Sequence, residues 1–350
     1  MQRLKTTCLI GILCLLSYCA PKSQGVEAKA FSLEKILTVD IEDDETAETG
    51  LTDISHYDID SEGKIFILNR RAQDNCIFML GQDGSLLSTF GKRGEGPGEL
   101  QNPRLIVISA RDEIVATDSE KVVIYSNAGE LIKELHKDTD FQFVVPLRED
   151  RYLAIAVKLN QDLSQSFQVI LCSSELEELK ILDRSKIESF QTADKVNIIP
   201  TLVHWETSDH YIYTGNTNEY EIRVFDFEGK LIRKMSREHG PVLLSAEDKA
   251  TYEQRVNNYP PELKDKFFIP DAFPPFRDII ASDNKMLFIQ TYEELNEGSS
   301  IYDIFNSEGE LLGRTEFEGY QVKLRGENVY CLKQKDSGYI EFIVYKKIWD

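Results

Sequence analysis

Along most of the chain, short apolar runs rich in Ile, Val, Leu and Phe are cut by Asp-Gly, Ala-Gly or Glu-Gly turns. Such runs, bounded by turn residues, are the pattern of β-strands joined by hairpins. One unit recurs: an apolar strand, a turn, then Leu-Leu or Leu-Ile opening another strand. Its copies are IFMLGQDGSLLSTF, VVIYSNAGELIKEL, VILCSSELEELKIL, IRVFDFEGKLIRKM and YDIFNSEGELLGRTEF. The turn positions are Gly84, Gly129, Glu175, Gly229 and Gly309, and the first three are 45 and 46 residues apart. Glycine suits a hairpin position that needs φ > 0.

A second strand pair precedes each copy, in DISHYDIDSEGKIFILN, RLIVISARDEIVATD, FVVPLREDRYLAIAV, LVHWETSDHYIYTG and RDIIASDNKMLFIQ. Four strands in roughly 45 residues is the period of a β-propeller blade. After the fifth copy, QVKLRGENVYCLKQ and YIEFIVYKKIW supply three more strands. The lone N-terminal strand in SLEKILTVDIE can complete a sixth blade, tie the chain ends together and leave no open sheet edge. The expected fold is all-β: a six-bladed β-propeller of four-stranded antiparallel blades over residues 33–350, its ring closed by an N-terminal strand.

One segment breaks the pattern, an insertion at 237–275 between blades 4 and 5. Ser245 followed by early acidic residues is a helix N-cap, so Ala246–Val256 reads as a short helix. The proline- and aromatic-rich stretch NNYPPELKDKFFIPDAFPPF follows. An excursion of this kind reads as a lid, a binding loop or a packing strap.

The stretch GKRGEGPGEL, with four glycines, poses the question of a phosphate loop. A phosphate loop needs a helix directly behind it. Here Pro103 and the β-branched run RLIVIS follow, so the stretch reads as the crossing from one blade to the next.

Composition adds an address and some exclusions. A formal charge of −20 without a Lys/Arg block excludes a nucleic-acid partner on electrostatic grounds. Arg3 and Lys5 precede CLIGILCLLSYC, the length of a signal-peptide core and too short to span a membrane. Leu16-Ser17-Tyr18-Cys19 resembles the lipobox of bacterial lipoproteins. That resemblance implies a signal peptide at 1–18, lipidation of Cys19, a tether at 19–32 and a membrane held through the lipid anchor. Cys76, Cys172 and Cys331 then remain, an odd number at wide spacing that makes no disulfide framework and no zinc site. They read as small apolar core residues.

GKRGEGPGELQNPRLIVISARDEIVATDSEKVVIYSNAGELI resembles the NHL-type repeat. From about residue 33 the chain resembles the bacterial six-bladed β-propeller lipoproteins of Bacteroidetes and related phyla. The shared marks are GEGPGEL, PPFRDI at the approach to the fifth blade, YDIFNSEGELL and the lipobox-like start. The resemblance implies a fold and a cell-envelope address, periplasm-facing or outer-membrane, more than an activity.

Propellers bind ligands at one mouth of the central channel, on loops leading into the innermost strands. The candidates there are Asp53, His56, Arg104, Gln142, His204, Arg277 and Asp278. Arg104 and Arg277 suit a carboxylate or a sugar hydroxyl. If no ligand is held, each would pair with a neighbour such as Glu99 or Asp278. His56 and His204 could share a metal as in NHL-type lyases, but that resemblance wants three channel histidines, and His136, His210 and His239 fall on outer turns or the insertion. Asp58-Ile-Asp60-Ser-Glu62-Gly63 resembles the opening of a calcium loop, yet Asn69 stands where its bidentate Glu belongs. No metal or other cofactor is therefore expected. Two functions follow from this reading. One is a non-catalytic binding or scaffolding propeller whose channel mouth and insertion hold a peptide, a glycan or an envelope protein. The other is an NHL-like, metal-dependent lyase or lactonase.

Overall fold

The computed structural model describes residues 31–148, 150–189, 191–238, 240–293 and 299–349. Six four-stranded antiparallel sheets follow one another around a central axis. Blade 1 is built from His56–Ile59, Ile65–Leu68, Asn75–Leu80 and Leu86–Lys92. Blades 2 to 5 repeat that order, with innermost strands Leu105–Ile108, Phe141–Pro146, Val203–Thr207 and Asp278–Ala281. In blade 6 the order is Tyr320–Arg325, Asn328–Gln334, Ile340–Trp349 and then Phe31–Asp40. Among the described residues the first strand thus runs antiparallel to the last, Phe31 opposite Trp349 and Asp40 opposite Glu341. The signal peptide, the tether and Cys19 lie outside the described residues.

Burial falls from the inner strands outward, and composition follows it. Ile65–Leu68 is buried at every position, because both of its faces meet a neighbouring sheet. In the outer strand Leu131–His136 only Leu135 is buried. Apolar clusters fill each blade–blade interface. Phe66, Ile77 and Phe90 of blade 1 meet Ile106, Ile114 and Val123 of blade 2. Tyr57 and Ile65 of blade 1 meet Tyr330 and Phe342 of blade 6. The three cysteines of the blades, Cys76, Cys172 and Cys331, are free and buried in these clusters.

The outer hairpin turns explain the repeated glycine. Gly129 has φ +83°, and a Cβ there would sit 2.7 Å from the Phe90 ring of the preceding blade. Both the backbone angle and the close approach require glycine. In the third copy the equivalent turn position is Leu176, φ 64°, and not Glu175. Its N–H bonds to the Ser173 carbonyl as that of Gly129 bonds to Ser126. Leu176 is buried between blades 2 and 3, and that burial offsets the strain of a left-handed leucine.

GKRGEGPGEL crosses from blade 1 to blade 2 and is held by side chains. The Arg93 guanidinium donates to the carbonyls of Ala72, Gln101 and Arg70 at 2.8, 2.9 and 2.7 Å. Glu99 accepts from the Gly96 N–H at 3.0 Å and from Lys92 at 3.0 Å. No helix follows the loop; Leu105–Ile108 is a strand.

In the insertion, the helix Ala246–Asn257 starts at a capping box. Asp248 N–H donates to Ser245 Oγ at 3.0 Å, and Ser245 N–H donates to Asp248 Oδ2 at 2.8 Å. Further on, Phe267–Phe268 pairs in parallel with Val196–Asn197, from the connection between blades 3 and 4. Two excursions from adjacent blades therefore meet on the face where the innermost strands begin. At the root of the insertion Arg237 pairs with Asp303, a fully buried carboxylate that also accepts from Tyr220 Oη at 2.6 Å and Arg314 Nε at 2.8 Å.

Candidate functional site

An innermost strand has a sheet partner on one side only, so its channel-facing backbone groups must find partners elsewhere. Side chains of blade 1 supply some of them. Asp58 Oδ2 accepts the Ile108 N–H at 2.8 Å, and Oδ1 accepts the Ile59 N–H at 2.9 Å. His56 hydrogen-bonds to the Ile106 backbone. From the neighbouring blade 6, Lys323 Nζ donates to Asp58 Oδ1 at 2.8 Å. Lys323 follows a bulge in the strand Tyr320–Arg325, where Gln321 has φ 50° and its carbonyl accepts from Tyr57 Oη. Bulges of this sort re-aim the side chains beside them.

Around these groups lies a cavity of about 330 Å³ that runs along the axis. All six innermost strands line it, with charged or histidine side chains or with apolar wall. His56, Asp58, His204, Glu206, Asp278, Lys323 and Arg325 supply the chemistry, with Leu105, Val107, Val145 and Trp205 as wall. His204 Nδ1 lies 3.4 Å from Asp278 Oδ1, and its ring packs edge-on against buried Phe276 at 5.6 Å.

The electrostatics of three groups follow from burial. Burial raises the Asp58 carboxyl, but Lys323, Arg325 and the hydrogen bonds outweigh it, and the group stays below the usual carboxylate range. Glu206 is pushed up to about 7 by burial, against the opposing pull of Lys323, the Thr207 N–H and Arg325. His56 is pushed down to about 3 by burial and then by Lys323, so it is neutral, and its buried Nδ1 has no hydrogen-bond partner among the described residues.

Of the residues expected at the mouth, His56, His204 and Asp278 line the cavity. The others do not. Arg104 donates to the Gln142 side-chain oxygen, so each occupies the other, and Glu99 pairs with Lys92 instead. Arg277 is exposed on the rim. Asp53 accepts from Ser55 Oγ in the loop before blade 1. None of the insertion residues lines the cavity; its aromatics pack among themselves and on the rim, Tyr259 against Phe267 and Phe273 against Tyr292, both at 4.5 Å. The calcium-like stretch is an ordinary hairpin: Asp60 Oδ1 accepts the N–H groups of Glu62 and Lys64 at 2.9 and 2.8 Å. Among the described residues no group of three or more His, Cys, Asp or Glu side chains is placed to hold a metal.

Sequence reasoning missed Glu206, Lys323 and Arg325, and considered Asp58 only as part of a calcium-loop resemblance that Asn69 argued against. The signal was present. Innermost strands such as LIVI are apolar throughout, whereas HYDI, VHWET and YQVKLR carry charges in the same place.

The sequence of residues 27–237 matches the family DUF5128, described as a 6-bladed beta-propeller. The chain belongs to that family. No curated protein matches it. Among solved structures it is similar to a protein of Bacteroides fragilis NCTC 9343 described as exported, at 11% identity and a TM-score of 0.54, covering 91% of this chain and 95% of that one. It is also similar to a DUF4221 family member from Bacteroides vulgatus ATCC 8482, at 10% identity and a TM-score of 0.51, covering 93% and 100%. At these identities the likeness is one of fold.

Proposed function

We propose that this chain is a non-catalytic binding propeller of the bacterial cell envelope, with its ligand in the axial channel. The observation that supports this reading is the cavity itself, lined from all six blades, with groups of both charges and apolar wall between them. Concave, partly apolar sites with a few convergent polar groups are the usual form of a small-molecule site. The envelope address rests on the signal-peptide and lipobox-like start, with Cys19 as the lipid-bearing residue, and on the likeness to an exported propeller. Arg104, Gln142, Arg277 and Asp53 belong, in this reading, to the outer rim, where a peptide, glycan or envelope protein carrying the ligand would rest. The lyase or lactonase reading keeps one supporting observation, that His56 and His204 line the same cavity.

The test is to purify the chain from envelope extract, denature it and identify what it releases by mass spectrometry, alongside Val107→Trp. A released molecule that the bulkier channel wall excludes supports the channel. Equal retention by both proteins refutes it. Stoichiometric zinc or calcium in the purified protein would favour the enzyme.

A further inference from the structure

The charges lining the channel sort into pairs, with two groups left over. Lys323 stands 2.8 Å from Asp58, Arg148 stands 3.2 Å from Asp209, and His204 stands 3.4 Å from Asp278. Glu206 and Arg325 remain. The Glu206 carboxyl accepts one hydrogen bond, from the Thr207 N–H at 2.7 Å, and makes no contact ion pair among the described residues, although Lys323 and Arg325 act on it from a longer distance. Arg325 is exposed to the channel and likewise has no ion-pair partner among the described residues. The two lie on the innermost strands of blades 4 and 6, either side of Asp278–Ala281 in blade 5. They line the axial cavity together, and also the smaller one of about 60 Å³ beside it.

We propose that the channel binds a small zwitterion, an amino-carboxylate whose ammonium sits on Glu206 and whose carboxylate sits on Arg325. This deepens the channel reading and rests on it. A half-buried carboxyl with no cation in contact is costly in its ionised form, and an ammonium partner lowers that cost. A guanidinium with an open face is the side chain best shaped for a planar carboxylate. A volume near 330 Å³ is at the low end for small-molecule sites and suits a compact ligand.

The charge state of Glu206 makes binding depend on pH. The groups facing it are Lys323 and Arg325 from blade 6 and Asp278 from blade 5, and it titrates at about 7. The ammonium needs the ionised form, so between pH 8 and pH 6 affinity falls about tenfold, the drop in its ionised fraction.

The test is calorimetric titration of the whole mature chain with the series glycine, β-alanine, 4-aminobutyrate, 5-aminovalerate and 6-aminohexanoate. Each is compared with the n-alkylamine and the carboxylate of the same chain length, at pH 6 and pH 8. At least one zwitterion should bind ten times more tightly than both of its singly charged analogues. Arg325→Met should abolish its advantage over the amine, and Glu206→Gln its advantage over the carboxylate and the pH dependence. The inference is overturned if no member of the series outbinds its analogues, or if affinity in the parent protein is the same at both pH values. If the molecule released from the native protein is excluded by Val107→Trp but lacks an ammonium or a carboxylate, the channel site stands and the zwitterion falls.

Discussion

Replacing Lys323 by methionine isolates the worth of the ion pair that joins blade 6 to blade 1 at the channel wall. Asp58 is 1% exposed, and in Lys323→Met its carboxylate keeps the N–H bonds of Ile59 and Ile108 but loses its cation. Breaking a buried pair from one side costs about 3–5 kcal/mol. Lys323 itself is 28% exposed, so water reaches the vacated place and the loss lies near the lower end, about 3 kcal/mol. At about 2 °C per kcal/mol for a large domain, Tm falls by about 6 °C at pH 7. The pH profile gives a second, independent reading. The folded Asp58 carboxyl titrates below its ordinary value, so its stabilisation is complete above about pH 3.9 and is lost as pH falls through the folded value. Scanning calorimetry of parent and variant should therefore show the largest gap at neutral pH and a shrinking gap below about pH 4. The exposed pair Lys333–Glu318, at 2.7 Å, is the control, and Lys333→Met should cost less than about 1 kcal/mol. An unchanged Tm at pH 7, or a gap that stays constant into acid, refutes the argument.

Glu206 gives the opposite pH sign. Its folded pKa is raised to about 7, so its contribution is fully favourable below the unfolded carboxylate value near 4.3 and is lost as pH rises through 7; Glu206→Gln should melt with the parent at pH 4 and higher than it at pH 8. Gly129→Ala should destabilise by about 2–3 kcal/mol in urea unfolding, combining a left-handed alanine with a clash on Phe90, whereas Gly50→Ala, at the same φ with open space around it, should cost only about 1 kcal/mol. Arg237→Ala leaves Asp303 with one cation fewer at the root of the insertion, so limited proteolysis between 240 and 275 should accelerate; an unchanged cleavage rate would show that the pairing with Val196–Asn197 anchors the insertion alone. Cys19→Ser should move the protein from the membrane to the soluble fraction, and a chain that stays with the membrane without incorporating fatty acid refutes lipidation.

The propeller was legible because its signals are local. A positive-φ turn next to a neighbouring blade demands glycine, and that demand recurs at every outer hairpin except the one that buries Leu176. The one-residue error there arose from aligning on Glu175, since nothing local marks a leucine as the left-handed residue. The site was legible in part. His56, His204 and Asp278 sit at strand starts, where position alone brings them to the channel. The direction of Arg104 was not legible, because Gln142, in the next blade, decides it. Glu206, Lys323 and Arg325 lie deeper along their strands, and their roles come from groups on other blades. The meeting of the two excursions was invisible for a different reason, as a parallel pair two residues long carries no periodicity.

The pairing of Phe31–Asp40 with Ile340–Trp349 sets an order of events. Phe31–Asp40 can be placed only after Ile340–Trp349 has been made, nearly the whole chain later. Until then the sixth sheet is one strand short and the ring stands open at a single seam. Contacts this distant in sequence are the slowest to form. The open seam is also a free edge that a second unfinished copy could fill with its own N-terminal strand. Crowding of nascent chains would then yield exchanged pairs, each ring closed by the other's strand, as the characteristic misassembly of this molecule.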